Sequence, residues 1–188
     1  MSTIIFDGDD TLWELQPLDD RAMDAFSLLL QKELGTSPEK TRQELIQIDA
    51  SHVEKFGFGE LRFRHSMLSL YERLCLELKQ PAIADVKTQI SNIAVTVSTV
   101  APKPMDGARD VLAELCLRRR LLLYSGGAKE LQVQKLQNLG LDIFFRHMYF
   151  CGTKNVANLE RIVSENRLLP RTTWMVGNSL RCSSFNLI

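Results

Sequence analysis

In the second half of the chain, short apolar runs alternate with segments of helical period. Leu121-Leu122-Leu123-Tyr124 runs into the turn Ser125-Gly126-Gly127, and a helix is expected from Ala128 to about Leu139, stopped by Gly140. His147-Met148-Tyr149-Phe150 is a weaker strand, followed by Cys151-Gly152-Thr153-Lys154. A helix from about Asn155 to Asn166 turns Val156, Leu159, Ile162 and Val163 inward. Thr172–Val176 is then a strand that ends at Gly177-Asn178-Ser179. Thr3-Ile4-Ile5-Phe6, broken by Asp7-Gly8, is a further buried strand at the start of the chain. Strand then helix, repeated, predicts an α/β fold: a parallel sheet with helices on its faces.

Between the first strand and the second lies a stretch without strand patterning. Met23, Phe26, Leu30 and Leu34 recur at helical steps, and Gly35 offers a stop. Ser37-Pro38-Glu39 predicts an N-cap followed by proline at the first helical position, for a helix running to about Phe56. Gly57-Phe58-Gly59 reads as the next turn. A third helix is expected to bury Leu61, His65, Leu68, Tyr71, Cys75 and Leu78, and a fourth Ile83, Val86, Ile90, Ile93 and Val97. Four amphipathic helices in succession predict a small bundle over 17–100, inserted into an α/β core made of 1–16 and 101–188. Arg62 and Arg64 are expected on its solvated surface. After the bundle, a helix opening at Asp106 or Gly107 is expected to close on Arg118-Arg119-Arg120, which suits the negative end of a helix dipole.

Composition excludes several classes of function. Among 188 residues, 23 Lys and Arg balance 23 Asp and Glu, so no overall field attracts nucleic acid or anionic lipid. No apolar run spans a bilayer, and Asp7, Asp9 and Asp10 interrupt any leader-like segment. Cys75, Cys116, Cys151 and Cys182 lack Cys-x-x-Cys spacing and read as reduced thiols of a cytoplasmic protein. His52, His65 and His147 are too scattered for a zinc site. Oligomeric state is not legible.

The ends of the strands carry the chemistry. Asp7 and Asp9 stand two residues apart at the carboxyl end of the first strand, the edge where open α/β sheets bind ligands. Such a pair holds a divalent cation or divides the work of nucleophile and proton donor. Ser125 with Gly126, Lys154 and Asn178 follow at the ends of later strands. Each has a plainer account: Asp7 and Asp10 can bond local amides, Ser125 can merely end a strand, Lys154 can be a surface lysine and Asn178 a helix cap. Coincidence of all of them at successive strand ends favours a shared site.

Taken together, these motifs make the chain resemble the haloacid dehalogenase superfamily, over nearly its whole length. Asp7-Gly8-Asp9-Asp10-Thr11 is similar to the first motif, Ser125 to the second, Lys154 to the third and Val176-Gly177-Asn178-Ser179 to the fourth. The resemblance implies a Rossmann-like core with a helical cap and a magnesium-dependent phosphatase acting on a small phosphorylated metabolite. Asp7 would be the nucleophile, forming an aspartyl-phosphate, and Asp9 the acid and base. Ser125, Gly126 and Lys154 would hold the phosphoryl group, and Asp7, Asp9 (by its backbone carbonyl) and Asn178 the Mg2+. Members that cleave carbon–halogen bonds lack the second Asp, so Asp9 points to phosphoryl chemistry, by hydrolysis or by transfer as in a mutase.

Two departures from the family pattern carry a second expectation. Asn178 stands where an acidic residue is common, and Ser183 where a further one is expected, so metal binding should be weaker. Cys182–Ile188 does not read as the helix the family places there, which predicts an altered or incomplete C-terminus. The alternative function is therefore a weakened or inactive member of the fold that acts by binding or regulation.

Overall fold

The computed structural model describes residues 2–178; the expectations for Ser183 and for Cys182–Ile188 lie outside the described residues. Four parallel strands form one sheet in the order β3-β2-β1-β4: β1 (Thr3–Phe6), β2 (Arg120–Gly126), β3 (His147–Cys151) and β4 (Thr173–Val176). Phe6 pairs with Leu123 on one side and Val176 on the other.

Both faces of β2 are buried, which is why its sequence is a continuous apolar run and not an alternating one. Leu121 and Leu123 point to one face, where they pack with Phe6, Leu12, Trp13, Leu112, Leu136, Leu141 and Phe145. Leu122 and Tyr124 point to the other, with Ile5, Leu159, Ile162 and Leu168. Helices α5 (Ala108–Cys116) and α6 (Lys129–Leu139) supply the first cluster, and α7 (Val156–Glu165) the second. Each such leucine withdrawn from water contributes about 1.5–3 kcal/mol. At β4 the cover thins: Trp174 and Val176 are exposed.

Gln16–Val100 forms a separate compact unit of four helices, α1 (Gln16–Leu34), α2 (Pro38–Phe56), α3 (Glu60–Glu77) and α4 (Ala84–Thr99). Ser37 is the N-cap of α2, its hydroxyl accepting from the Lys40 amide, with Pro38 next. Gly57 and Gly59 turn the chain at positive φ, a conformation that side chains resist. An open cavity of about 240 Å3 lies among α1 and α4 residues, including Leu18, Ala22, Ala25 and Ile93.

Four local expectations are corrected. On α3 the buried stripe is Phe63, Ser66, Met67, Leu70, Tyr71, Leu74 and Cys75, while Leu61, His65 and Leu78 are exposed. Both stripes have helical spacing and share Tyr71 and Cys75; packing selected the one with Phe63 and Met67. His65 stacks instead on Phe56, with ring centroids 4.5 Å apart. Arg62 is not solvated but forms a sequestered ion pair with Asp49. Helix α5 ends at Cys116, before the arginine run, and Arg120 enters β2, where its guanidinium donates to the Thr3 hydroxyl and the Asn166 carbonyl. Ile83 and Val156 lie at the starts of their helices and stay exposed. Among the described residues, no helix is long and apolar enough to cross a membrane.

Candidate active site

Parallel pairing in this register sets the carboxyl ends of β1 and β4 level, while β2 runs three residues further, to Gly126. The ladder extends one residue past β1, since the Asp7 amide donates to the Val176 carbonyl at 2.8 Å. Asp7 is buried. Its Oδ1 accepts from the Gly8 amide at 2.6 Å and from the Lys154 ammonium; among the described residues nothing donates to Oδ2. Burial pushes the Asp7 carboxyl above its ordinary value, against the opposing charge and hydrogen bond of Lys154 and the Gly8 amide.

Lys154 reaches Asp7 from the loop between β3 and α7. That loop is anchored by Tyr124 of β2, whose hydroxyl accepts from the Asn155 amide at 3.2 Å. The Asn155 side chain in turn caps α7 by accepting from the Asn158 amide. The Lys154 Nζ also stands 5.8 Å from the Tyr124 ring centroid, within range of a cation–π attraction. Cys151, at the end of β3, has its thiol pushed up by burial, which leaves it a poor nucleophile.

Gly8 is required by proximity. A Cβ there would stand 2.5 Å from Cζ2 and Cη2 of Trp13 and 2.7 Å from the Ser125 Oγ. The same contacts locate Ser125: its hydroxyl is fully buried beside the Asp7–Asp9 turn. Gly126 faces α6, its carbonyl accepting from the Gln132 amide at 2.6 Å. Asp10 adopts positive φ and its Oδ1 accepts from the Leu15 amide at 2.8 Å, so local amide bonding and a functional turn coexist here.

Asp9 has three donors. Its Oδ1 accepts from the Trp13 indole at 2.6 Å and from the Lys135 ammonium at 3.0 Å, and its Oδ2 from the Gln132 amide at 2.9 Å. Sequence analysis missed all three donors, and it missed Tyr124. The available signal was weak: Gln132 and Lys135 are polar residues three apart on one face of the helix after the Ser125-Gly126 turn. Asn178 is tied to the same turn through its backbone, its amide donating to the Thr11 hydroxyl at 3.0 Å, while its exposed side chain makes no hydrogen bond among the described residues.

Thus Asp7 and Lys154 meet directly, Ser125 lies against their turn, Gly126 joins Asp9 through Gln132, and Asn178 arrives by its main chain. No group of three or more His, Cys, Asp or Glu side chains that could hold a metal occurs among the described residues. Magnesium needs fewer, because it commonly takes one or two carboxylates and fills its shell with water and substrate oxygen. The oxygen-only donors here, with Asp7 Oδ2 free of partners among the described residues, fit that ion.

A parallel α/β sheet with paired carboxylates and a lysine at its carboxyl edge forms a candidate catalytic site. A family model for haloacid dehalogenase-like hydrolases matches residues 1–181, and the chain belongs to that family. Among solved structures, it resembles a haloacid dehalogenase-like family hydrolase from Xanthomonas campestris, with 25% identity over 96% of this chain and 75% of that one, TM-score 0.80. It is also similar to the putative HAD-hydrolase YfnB from Bacillus subtilis, which was solved bound to magnesium: 18% identity, 100% and 86% coverage, TM-score 0.66. L-2-haloacid dehalogenase from Xanthobacter autotrophicus shares the fold at 16% identity, 93% and 69% coverage, TM-score 0.59. No curated protein matches the chain.

Proposed function

We propose that this hydrolase is a magnesium-dependent phosphatase that acts on a small phosphorylated metabolite in the cytoplasm. The observation that carries the proposal is the second carboxylate, Asp9, held beside a buried Asp7 whose Oδ2 has no donor among the described residues. Asp7 would attack phosphorus and carry the phosphoryl group as an acyl phosphate. Asp9 would give a proton to the departing ester oxygen and then take one from the water that hydrolyses the intermediate. The Ser125 hydroxyl and the Gly126 amide would bond the phosphoryl oxygens, and Lys154 would offset their developing charge. Asp7, the Asp9 backbone carbonyl and Asn178 would hold Mg2+, which when bound supplies positive charge against the phosphoryl oxygens. The helical unit, approximately 17–100, would act as the cap that selects substrate for a core built from 1–16 and 101–188.

A second reading, a weakened member that binds or regulates without turnover, is favoured by one observation. Asn178, at the end of β4, brings no charge to the candidate metal site.

Release of phosphate from p-nitrophenyl phosphate with magnesium separates the two readings. Turnover abolished by Asp7→Asn and by chelation is expected from the phosphatase. A folded chain that binds phosphate but never releases product from the ester would support the second reading.

A further inference from the structure

Asp9 is held more completely than a surface carboxylate requires. Trp13 is fully buried and aims its one polar atom at Oδ1. Lys135 is mostly withdrawn from water, and among the described residues Asp9 is its ion-pair partner. Gln132 is buried, and its amide nitrogen bridges Asp9 Oδ2 and the Gly126 carbonyl. Its own Oε1 is buried with no partner among the described residues, a cost that a residue of purely structural use would avoid. Apolar side chains of similar size would fill the same space without it.

We propose that Trp13, Gln132 and Lys135 form a clamp that fixes the direction of the Asp9 carboxylate and divides the work of its two oxygens. Oδ1, with two donors, is the anchored oxygen. Oδ2, with one donor, retains room to exchange a proton with a bound ester. The three are positioning residues, because they act through Asp9. Gln132 also couples that oxygen to Gly126 at the end of β2, so the proton donor and the phosphoryl-binding turn are held in one register. The catalytic consequence rests on the phosphatase reading. As the bond from Asp7 to phosphorus forms and the ester P–O bond breaks, the proton on Asp9 Oδ2 goes to the departing oxygen. The clamp itself is a property of the resting protein and is measurable without turnover.

The test uses Lys135→Met, Gln132→Leu and Lys135→Arg in the full chain, with folding checked by circular dichroism. First, the Trp13 indole N–H resonance is followed by 15N NMR, with Trp174→Phe to assign it. The clamp predicts that this resonance moves in Lys135→Met and Gln132→Leu and returns towards its original place in Lys135→Arg. An unmoved resonance in both apolar variants overturns the clamp. Second, kcat is compared for p-nitrophenyl phosphate and phenyl phosphate, which differ in how much the leaving oxygen needs a proton. A misaimed Asp9 should cost about 10²-fold on phenyl phosphate, and much less on the nitro ester. Equal losses on both esters overturn the division of the oxygens. A wild-type protein that turns over neither ester defeats the phosphatase reading, and the indole resonance then decides the clamp alone.

Discussion

The Arg62–Asp49 pair of the helical unit and the Lys154–Asp7 pair of the α/β unit are both sequestered, and they differ in what they leave unused. In the helical unit Asp49 is saturated. Its Oδ1 accepts from Arg62 Nε and the Ser66 hydroxyl, and its Oδ2 lies 2.8 Å from Arg62 Nη2. In the α/β unit Asp7 meets Lys154 through Oδ1, and among the described residues its Oδ2 has no partner. The Asp49 and Arg62 side chains are 16% and 14% exposed, against 5% and 8% for Asp7 and Lys154. The more deeply buried carboxylate is therefore the less satisfied one. A pair of purely structural use completes its hydrogen bonds, and the open capacity of Asp7 is what its proposed role as nucleophile requires.

The largest expected effect tests that contrast at Asp7. Asp7→Asn should lower phosphate release by about 10³-fold or more, with a circular dichroism spectrum like that of the parent. Retained turnover would show that Asp7 is as structural as Asp49. The converse variant, Arg62→Ala, leaves Asp49 sequestered without its cation and should cost about 3 kcal/mol in denaturant unfolding. At temperatures where the protein stays folded, its turnover of p-nitrophenyl phosphate should persist.

Gly8→Ala forces a methyl group against Trp13 and Ser125, and should cost about 1–3 kcal/mol together with a loss of turnover. A stable, active Gly8→Ala protein would mean that the turn has slack. A smaller effect is the pH dependence of the metal-free protein. Because burial raises the folded pKa of Asp7 above 3.8, the folded state binds the proton more tightly than the unfolded chain does. The contribution is fully present below the unfolded value and is lost as pH rises through the folded one. The Tm of the parent relative to Asp7→Asn should therefore be highest at the acid end and fall across that window. A flat difference would remove burial as the dominant influence on Asp7.

Legibility followed distance along the chain. Ser37 capping α2 and Gly140 closing α6 are bonds made within a few residues, and these sites could be read from residue type alone. The strands around Ile5 and Leu122 were equally plain, because burial on both faces leaves an uninterrupted apolar run. The α3 stripe was not, since two stripes of similar hydrophobicity share Tyr71 and Cys75 and only the neighbouring helices choose between them.

The sequence by itself determined the strand–helix order, the helical insertion and the presence of Asp7, Asp9, Ser125, Lys154 and Asn178 at strand ends. These depend on local period and turn chemistry, which every short segment carries with it. Only the tertiary structure decided that Lys154 would reach Asp7 across 147 positions, and that Gln132 and Lys135 would close on Asp9 across 123 and 126. Those contacts exist because parallel pairing sets β2 beside β1, β3 beside β2 and α6 against the sheet. A hydrogen bond between residues so far apart has no local energetic trace, and the packed core that brings them together is its cause.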